Sequence, residues 1–440
     1  MSARLGPCAA LLVAVVAAAC GGGHHDPAPL EGATTSSRPV GVDEPACSDV
    51  HYRGGQRPRF VLVSTLPFQG VLRAEALQMS QAIQLVLARA GYRAGAYTVG
   101  YQACDDSTTQ AGASVDERCA ANGRAFARTP TVIGVIGPMY SSCTASLLPI
   151  VNRMTNGALG VISPANTYVG LTHGGPGAAP GDPQRFYPSG RRDYVRIAVA
   201  DDAQGVANVL LARRLGLHRA YVLHDGSLYG TGLAAVFRRA APASGIEVAG
   251  VRAWDPTARG YGRLARTVRH SRPDAVFLAG TQSNNGARLV SDLRAGLGPR
   301  PVLLGSEGMG PPAALVQRAG RAAEGITLTK PDIPRSALAP DGRRLNDAIR
   351  EQTGKTPCCY TMHAAQAAEV FLAAIAGSKG TRASVTARLR QTRVRGGLIG
   401  SFAFDRNGDT TLRRIFVYRI RHGQLVYVTV ITPPAGLLGP

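Results

Sequence analysis

Two adjacent serines, Ser141 and Ser142, stand where a predicted strand passes through a Gly-Pro turn into a predicted helix. The first N–H groups of a helix have no partner within the helix, and the helix dipole places partial positive charge there. Such a position, with a hydroxyl donor added, suits a ligand's carboxylate. The competing interpretation is that Ser141 only caps the helix, and the two roles can coincide. The sequence therefore predicts an anion-binding position at Ser141.

The motifs of common hydrolytic and nucleotide-binding sites are missing from the sequence. It contains no G-x-S-x-G nucleophile elbow, no H-E-x-x-H zinc motif and no phosphate-binding P-loop, and its histidines lack a regularly spaced partner. We therefore predict that the protein is not an enzyme and uses no cofactor or metal. A secreted hydrolase is the alternative from another functional class.

Acidic and amide side chains alternate at Asp405, Asn407 and Asp409, as at the start of a calcium loop. An EF-hand loop needs glycine at its sixth position and a bidentate glutamate at its twelfth. Here Gly408 occupies the fourth position and no glutamate follows. The segment is predicted to be a hairpin turn.

The first twenty residues have the pattern of an export signal. Arg4 supplies positive charge, residues 9–16 form a short apolar run, and residues 17–19 are alanines that suit cleavage. Because Cys20 follows at once, the site is similar to a bacterial lipobox, which implies a lipid anchor on the outer face of the cell membrane. Plain cleavage after the alanines is the alternative. The Gly-, Pro- and Ser-rich stretch beyond Cys20 is predicted to be a flexible tether.

Export changes how the remaining cysteines are interpreted, because disulfides form in an oxidising compartment. Apart from Cys8 in the signal and Cys20, six cysteines remain: Cys47, Cys104, Cys119, Cys143, Cys358 and Cys359. Disulfides are favoured over a zinc site. The local pair Cys104 with Cys119 is preferred, and pairing of either with Cys143 stays open. Adjacent cysteines bond to each other only with strain, so Cys358 or Cys359 is a candidate partner for Cys47.

The formal charge of +21 raises the question of nucleic-acid binding. Of 49 basic residues only Lys330, Lys355 and Lys379 are lysines, which leaves 46 arginines. They are scattered along the chain without interleaved aromatic residues that could stack on bases. We therefore predict no nucleic-acid partner and a general attraction to anionic surfaces.

From Arg59 onward, short apolar strands alternate with amphipathic helices. The first group has strands at 60–66, 92–102, 131–137 and 159–163 and helices at 72–87, 116–128 and 142–152. After a Gly- and Pro-rich loop at 173–188, a second group has helices at 204–215, 231–240, 262–270 and 286–295 and strands at 220–224, 246–253, 275–279 and 302–305. Two further helical patterns follow, the second at 360–376, and the chain closes with antiparallel hairpins over 402–431. Apolar strands joined by helices indicate parallel sheets covered on both faces.

Six short motifs resemble, in their order, the leucine/isoleucine/valine-binding family of extracellular solute receptors for bacterial ABC importers. They are Asp105-Asp106-Ser107-Thr108, Ile136-Gly137-Pro138 with Ser141-Ser142, Ile162 to Thr167, Asp225 to Gly230, Gly305-Ser306-Glu307-Gly308 and Gly400 to Asp409. The resemblance spans roughly residues 59–431. It implies an α/β fold with two doubly wound parallel-sheet lobes joined by a three-strand hinge, the type I periplasmic-binding fold.

In this family the chain crosses between the lobes three times, and we expect the crossings near Pro188, near residues 327–331 and near Gly396. The domain organisation expected from the sequence is therefore a signal peptide at 1–19, a tether at 20–57, lobe I at 58–188 and 328–395, and lobe II at 189–327 and 396–440.

The resemblance assigns ligand contacts to both lobes. Ser141 matches the family's carboxylate-binding serine, and Ala165 and Thr167 match positions that hold the carboxylate and ammonium ends of the ligand. Tyr229 is expected to close over the ligand from the other lobe. Glu307 matches the carboxylate that pairs with the α-ammonium group, a charge-assisted contact. In the alternative interpretations, Ala165 and Thr167 only form a turn, Tyr229 is an ordinary half-buried tyrosine and Glu307 is a solvent-exposed acid.

Two further positions concern ligand specificity. Phe68 follows the first strand, where the family often has an aromatic wall, in a loop that is shorter here. Gln282 or Ser283 stands where amino-acid receptors often have tyrosine, and a buried amide favours a more polar solute.

We therefore predict a monomeric receptor that captures a small solute, most readily an amino acid of the branched-chain type, and delivers it to ABC permease subunits. The alternatives are a receptor of the same fold for an amide, urea or an aromatic acid, and a ligand sensor for signalling.

Overall fold

The structure is a computed structural model that describes residues 40–154 and 157–438. The expected signal peptide, the lipidation site Cys20 and the first part of the tether lie outside the described residues. No helix in the described part of the chain is long and apolar enough to cross a membrane.

Six strands form the first sheet, in the order β2-β3-β1-β4-β5-β6. Its elements are β1 (Phe60–Leu66), α1 (Arg73–Arg89), β2 (Arg93–Ala94), β3 (Tyr97–Asp105), α2 (Asp116–Arg128), β4 (Val132–Ile136), α3 (Ser141–Asn152), β5 (Val161–Ser163) and β6 (Tyr194–Arg196). Strand β1 is buried along its whole length. Because successive side chains point to opposite faces, Leu62 packs in the core that contains α1, whereas Val61 and Val63 pack in the core that contains α2 and α3.

The second sheet has seven strands, in the order β15-β14-β11-β10-β9-β7-β8. Its first elements are α4 (Asp201–Arg214), β7 (Arg219–His224), α5 (Leu228–Ala240), β8 (Glu247–Ala253), α6 (Gly262–His270), β9 (Ala275–Ala279), α7 (Gly286–Leu297), β10 (Val302–Gly305), α8 (Pro312–Ala319) and β11 (Thr327–Lys330). Strands β7 to β11 pair in parallel. The hairpin of β14 (Ile415–Arg421) and β15 (Gln424–Ile431) adds to β11 in antiparallel fashion, so this sheet is mixed at one edge.

After β11 the chain returns to the first sheet with α9 (Pro340–Thr353), α10 (Thr361–Ala376) and α11 (Arg382–Arg390). Phe371 of α10 lies against Gly134 of β4, where an added Cβ would come within 2.3 Å of the ring. Glycine in the middle of this strand therefore permits the close approach of the helix. A separate two-stranded sheet of β12 (Arg393–Gly397) and β13 (Gly400–Ala403) precedes β14.

The structure confirms the predicted α/β class with two lobes and parallel-dominated sheets, and it differs in several elements. The expected strand at 92–102 is divided into β2 and β3 by a turn at Gly95, whose φ is +60°. The strands β6, β11 and β12 and the helices α8 and α11 were not expected as regular elements. The strand expected at 402–405 corresponds to β13, which pairs with β12 and not with the final hairpin.

The chain passes from the first sheet to the second and back again. Strand β6 pairs with β5 in the first sheet, beyond the crossing expected near Pro188, and β11 belongs to the second sheet. We propose that the first crossing follows Arg196 and the second follows Lys330. The residues at which each lobe begins and ends remain predictions.

The disulfides differ from the preferred pairing. Cys47 bonds to Cys104 and Cys119 bonds to Cys143, whereas Cys358 and Cys359 are free. The preferred pair of Cys104 with Cys119 is wrong, because residue 47 lies beside Cys104 of β3 in an antiparallel bridge. The open alternative of Cys119 with Cys143 is confirmed and joins the neighbouring helices α2 and α3.

The segment at 405–409 is a turn, as predicted. Asp405 Oδ1 accepts hydrogen bonds from the N–H groups of Asn407 and Asp409 at 2.8 and 2.9 Å. The carboxylate of Asp409 forms an ion pair with Arg196, whose side chain is fully buried. This ion pair joins the turn to β6.

Candidate functional site

A cleft lies beyond the carboxyl ends of strands of both sheets, where open α/β sheets generally bind ligands. It surrounds about 1030 Å³ of space, with the open solvent at its mouth included. Six of the eight residues predicted from the sequence line it: Ser141, Ser142, Ala165, Thr167, Tyr229 and Glu307. The fold therefore brings together residues that are far apart in the chain.

Helix α3 begins at Ser141, and its capping residue is Tyr140. Ser141 is therefore not the cap, and its hydroxyl oxygen accepts a hydrogen bond from the N–H of Tyr168 at 3.4 Å. The Tyr140 side chain makes no capping hydrogen bond. The first N–H groups of α3 therefore have no acceptor in the side chain of the cap residue. This position suits an anion.

The loops after β4 and β5 support each other. Ser163 Oγ donates to the carbonyl oxygen of Pro138 at 2.8 Å and accepts from the N–H groups of Ala165 and Asn166 at 3.2 and 2.8 Å. The Ala165 N–H is therefore engaged within the protein, and this residue can offer a ligand its carbonyl oxygen. Thr167, two residues further on, keeps its hydroxyl at the cleft.

In the second lobe, Asp225 organises the loops that carry Tyr229. Its Oδ2 accepts hydrogen bonds from the Thr281 N–H at 2.9 Å and from Asn284 Nδ2 at 2.8 Å, and its Oδ1 accepts from Ser227. Ser227 in turn caps α5 by accepting from the Gly230 N–H. Tyr229 is thereby fixed in the first turn of α5, facing the cleft with a buried hydroxyl that has no hydrogen-bond partner among the described residues.

Glu307 begins the short turn that follows β10. Its Oε1 accepts a hydrogen bond from Thr167 Oγ1 at 3.3 Å, a contact that joins the two lobes. Its Oε2 is buried and has no hydrogen-bond partner within the described chain. Burial raises the pKa of the Glu307 carboxyl. A buried carboxyl with one free oxygen is suited to a cationic or hydrogen-bonding group of a ligand.

The sequence analysis missed a second acid beside Glu307. Asp201 is the first residue of α4, its N–H donates to the Thr167 carbonyl at 2.8 Å, and neither of its buried side-chain oxygens has a partner in the described residues. Burial, together with the neighbouring charge of Glu307, raises the pKa of Asp201 well above its ordinary value. The acidic pair Asp201-Asp202 before the predicted helix was the available signal.

A second group of polar side chains also lines the cleft and was not predicted: Glu75, Lys330, Cys359 and Tyr360. The Cys359 thiol donates to Glu75 Oε1 at 2.6 Å, and Lys330 Nζ lies 3.4 Å from Asp332 Oδ2. Burial raises the pKa of Glu75. The signal in the sequence was weak: Lys330 is one of only three lysines in an arginine-rich chain.

Phe68 and Gln282 do not line the cleft. Phe68 packs against the core of the first sheet, and its N–H donates to Asp105 Oδ1 at 3.0 Å. Gln282 is buried outside the lining. The neighbouring residue Ser283, named with Gln282 as an alternative, does line the cleft, and its hydroxyl lies 3.0 Å from the Tyr140 hydroxyl of the other lobe.

Two α/β lobes with ligand-facing residues on both sides of a cleft, connected by several crossings, define a two-lobed solute receptor. Residues 64–424 match the sequence description of the periplasmic binding protein family, so the chain belongs to this family. It is a periplasmic solute-binding protein of the kind that serves ABC transporters. The family and its structural neighbours are substrate-binding proteins.

The curated relatives include the Leu/Ile/Val-binding protein BraC3 of Rhizobium johnstonii, 23% identical over 297 residues, which cover 66% of this chain and 74% of that protein. A similar solved structure is the leucine-binding protein LivK of Thermotoga maritima, with a TM-score of 0.72 and 22% identity over 85% of this chain and 99% of that one.

Neighbours with other ligands share the same fold. The LivJ protein of Streptococcus pneumoniae, in complex with isoleucine, has a TM-score of 0.71 at 18% identity and covers 85% of this chain and 99% of its own. A solute-binding protein of R. palustris in complex with benzoate has a TM-score of 0.68 at 15% identity and covers 85% of this chain and 96% of its own.

Proposed function

We propose that the chain binds an α-amino acid in the cleft and delivers it to an ABC permease. The observation that carries this proposal is the state of Glu307: one oxygen is bonded to Thr167 across the cleft, and the other is buried without a partner. The ligand's ammonium group binds Glu307, with Asp201 behind it and the Tyr229 hydroxyl beside it. Its carboxylate binds the first turn of α3 at Ser141.

The amino acids proposed first are the branched-chain ones. Apolar side chains line part of the cleft, among them Val71, Leu72, Met139 and Leu228, and these suit an aliphatic side chain. The relatives named for leucine, isoleucine and valine support the same class. An aromatic acid without an ammonium group would offer no donor to the unpaired buried oxygens of Glu307 and Asp201, which disfavours that alternative.

Delivery requires the receptor to stay near its permease. We propose that Cys20 carries a lipid which holds the protein at the outer face of the cell membrane, with the following residues as a tether. The pattern of Arg4, the apolar run and the three alanines before Cys20 supports this arrangement.

The test is a thermal-shift screen of the standard amino acids, small amides, urea and benzoate, followed by calorimetry on the hits. A ligand at 100 times its Kd stabilises a protein by about 2.7 kcal/mol. Leucine, isoleucine or valine is expected to give the largest shift, and Glu307→Gln is expected to abolish detectable binding while the protein stays folded.

The matched control is Glu351→Gln, which alters an exposed acid on α9. It should bind like the unchanged protein. If Glu307→Gln binds leucine with unaltered affinity, or if only benzoate gives a shift, the proposed amino-acid site is wrong.

A further inference from the structure

Two free cysteines meet a buried acid on the wall of the cleft. In the described chain four cysteines form disulfides, whereas Cys358 and Cys359 remain thiols. Their sulfur atoms and a carboxylate oxygen of Glu75 all lie within 4.8 Å of one another. Glu75 and Cys359 are buried and Cys358 is exposed, so the group is accessible from one side.

The backbone holds this arrangement in an unusual conformation. Cys359 has a φ of +60°, in the left-handed region that residues other than glycine rarely adopt. Such conformations persist where surrounding structure requires them, often at functional sites. Here both thiols approach the same oxygen, with Sγ to Glu75 Oε1 distances of 2.6 Å for Cys359 and 3.7 Å for Cys358.

Adjacent residues are poorly placed to form a disulfide with each other. A bond between them would close a short ring that contains the intervening peptide bond, and this ring is strained. The pair is therefore available as a dithiol even though the protein's other described cysteines are oxidised.

The charges around the thiols are suited to a divalent cation. Lys330 Nζ lies 3.8 Å from Cys359 Sγ and 3.4 Å from Asp332 Oδ2. With both thiols ionised, Glu75, Asp332 and the two thiolates carry four negative charges against the single positive charge of Lys330. The excess of three negative charges in a buried setting is largely offset by one divalent ion.

We propose that Glu75, Cys358 and Cys359 bind a thiophilic divalent cation, such as Zn²⁺ or Cd²⁺, on the wall of the cleft. Two thiolates and a carboxylate are a donor set that zinc accepts, and three protein ligands leave its fourth tetrahedral position open. Binding replaces the two thiol protons, which pass to solvent. The other cluster of this kind in the described residues, Asp106 with Cys119 and Cys143, has both sulfurs in a disulfide.

The experiment uses the full exported chain with Cys20→Ser, so that two thiols remain, and Cd²⁺ as the probe. We expect one equivalent of Cd²⁺ to produce an ultraviolet thiolate-to-metal band and to protect both thiols from a thiol reagent. Cys359→Ser should abolish the band. The isosteric variant Glu75→Gln should weaken Cd²⁺ binding by ~10- to 100-fold or more, since even outer-shell losses have that effect.

The control variant is His24→Ala with His25→Ala, which removes the adjacent histidines near the amino terminus. It should bind Cd²⁺ as the parent does. The proposal is overturned if the band survives in Cys359→Ser, or if both thiols react but Cd²⁺ produces no band. It is also overturned if neither thiol of the isolated protein reacts, because the pair would then be oxidised.

Discussion

At the scale of single residues, two buried acids decide what the cleft can accept. Burial raises the pKa of Glu307 and, with the charge of its neighbour, that of Asp201. The guanidinium of Arg196 is already paired with Asp409. The acidic pair therefore retains protons at pH values where free carboxyls are ionised.

Proton release on binding follows from these raised pKa values. An ammonium ligand favours the ionised acids, so its binding should release protons, and its affinity should rise with pH over the range in which the raised pKa values keep the acids protonated. Calorimetry with leucine in two buffers of different ionisation enthalpy measures this release. Asp201→Asn should bind leucine more weakly and release fewer protons, and Glu351→Gln should match the parent. A binding enthalpy independent of the buffer would contradict the prediction.

The sequence allowed only part of the site to be predicted. Ser141, Thr167 and Glu307 follow strands in recognisable motifs, so their approach to the cleft follows from topology. Asp201 begins α4 and Tyr360 directly precedes α10, and they lie at or beside the cleft because of how these helices pack in the fold. Local sequence patterns do not show how elements distant in the chain pack against each other, so these two residues were missed.

At the scale of elements, hydrophobic periodicity predicted the helices and strands whose apolar residues repeat regularly. Helix α6 and strand β9 have the expected bounds because their apolar residues repeat clearly. Strand β6 has only three residues and ends in the buried Arg196, so its burial depends on Asp409, far away in the chain. Helix α11 is rich in arginine, and its apolar stripe is too narrow to be detected.

The disulfide between α2 and α3 should contribute measurably to stability. It closes a loop with a sequence separation of 24 residues, for which the loop-entropy relation gives about 3.5 kcal/mol. Cys119→Ala with Cys143→Ala should lower the free energy of unfolding in urea by about that amount, without loss of the fold.

The control is the single variant Cys358→Ala in metal-free buffer, which removes an exposed thiol that forms no disulfide. Its free energy of unfolding should change little. Equal stability of the double variant and the parent would show that the packing of α2 on α3 alone holds this region.

At the scale of the whole molecule, a buried charge network holds the crossing region together. Asp409 contacts Arg196 of β6 and His173, and His173 also lies 3.7 Å from Asp202 of α4. Burial alone would lower the pKa of His173, but the carboxylates of Asp202 and Asp409 raise it to about 9. The imidazolium is therefore retained at neutral pH and links Asp202 of α4 to Asp409, the partner of Arg196 in β6.

Direct side-chain contacts join the two lobes across the cleft. The Thr167 hydroxyl binds Glu307 and the Tyr140 hydroxyl contacts Ser283, each pair with one member from each lobe. Without a ligand, buried oxygens of these acids have no hydrogen-bond partner in the described chain, so opening of the cleft lets water reach them. A ligand that contacts both lobes shifts the equilibrium toward closure. Small-angle X-ray scattering should therefore show a smaller radius of gyration with saturating leucine than without it, and Glu307→Gln should show no such change. An identical radius with and without leucine, under conditions where calorimetry shows saturation, would mean that binding does not close the lobes.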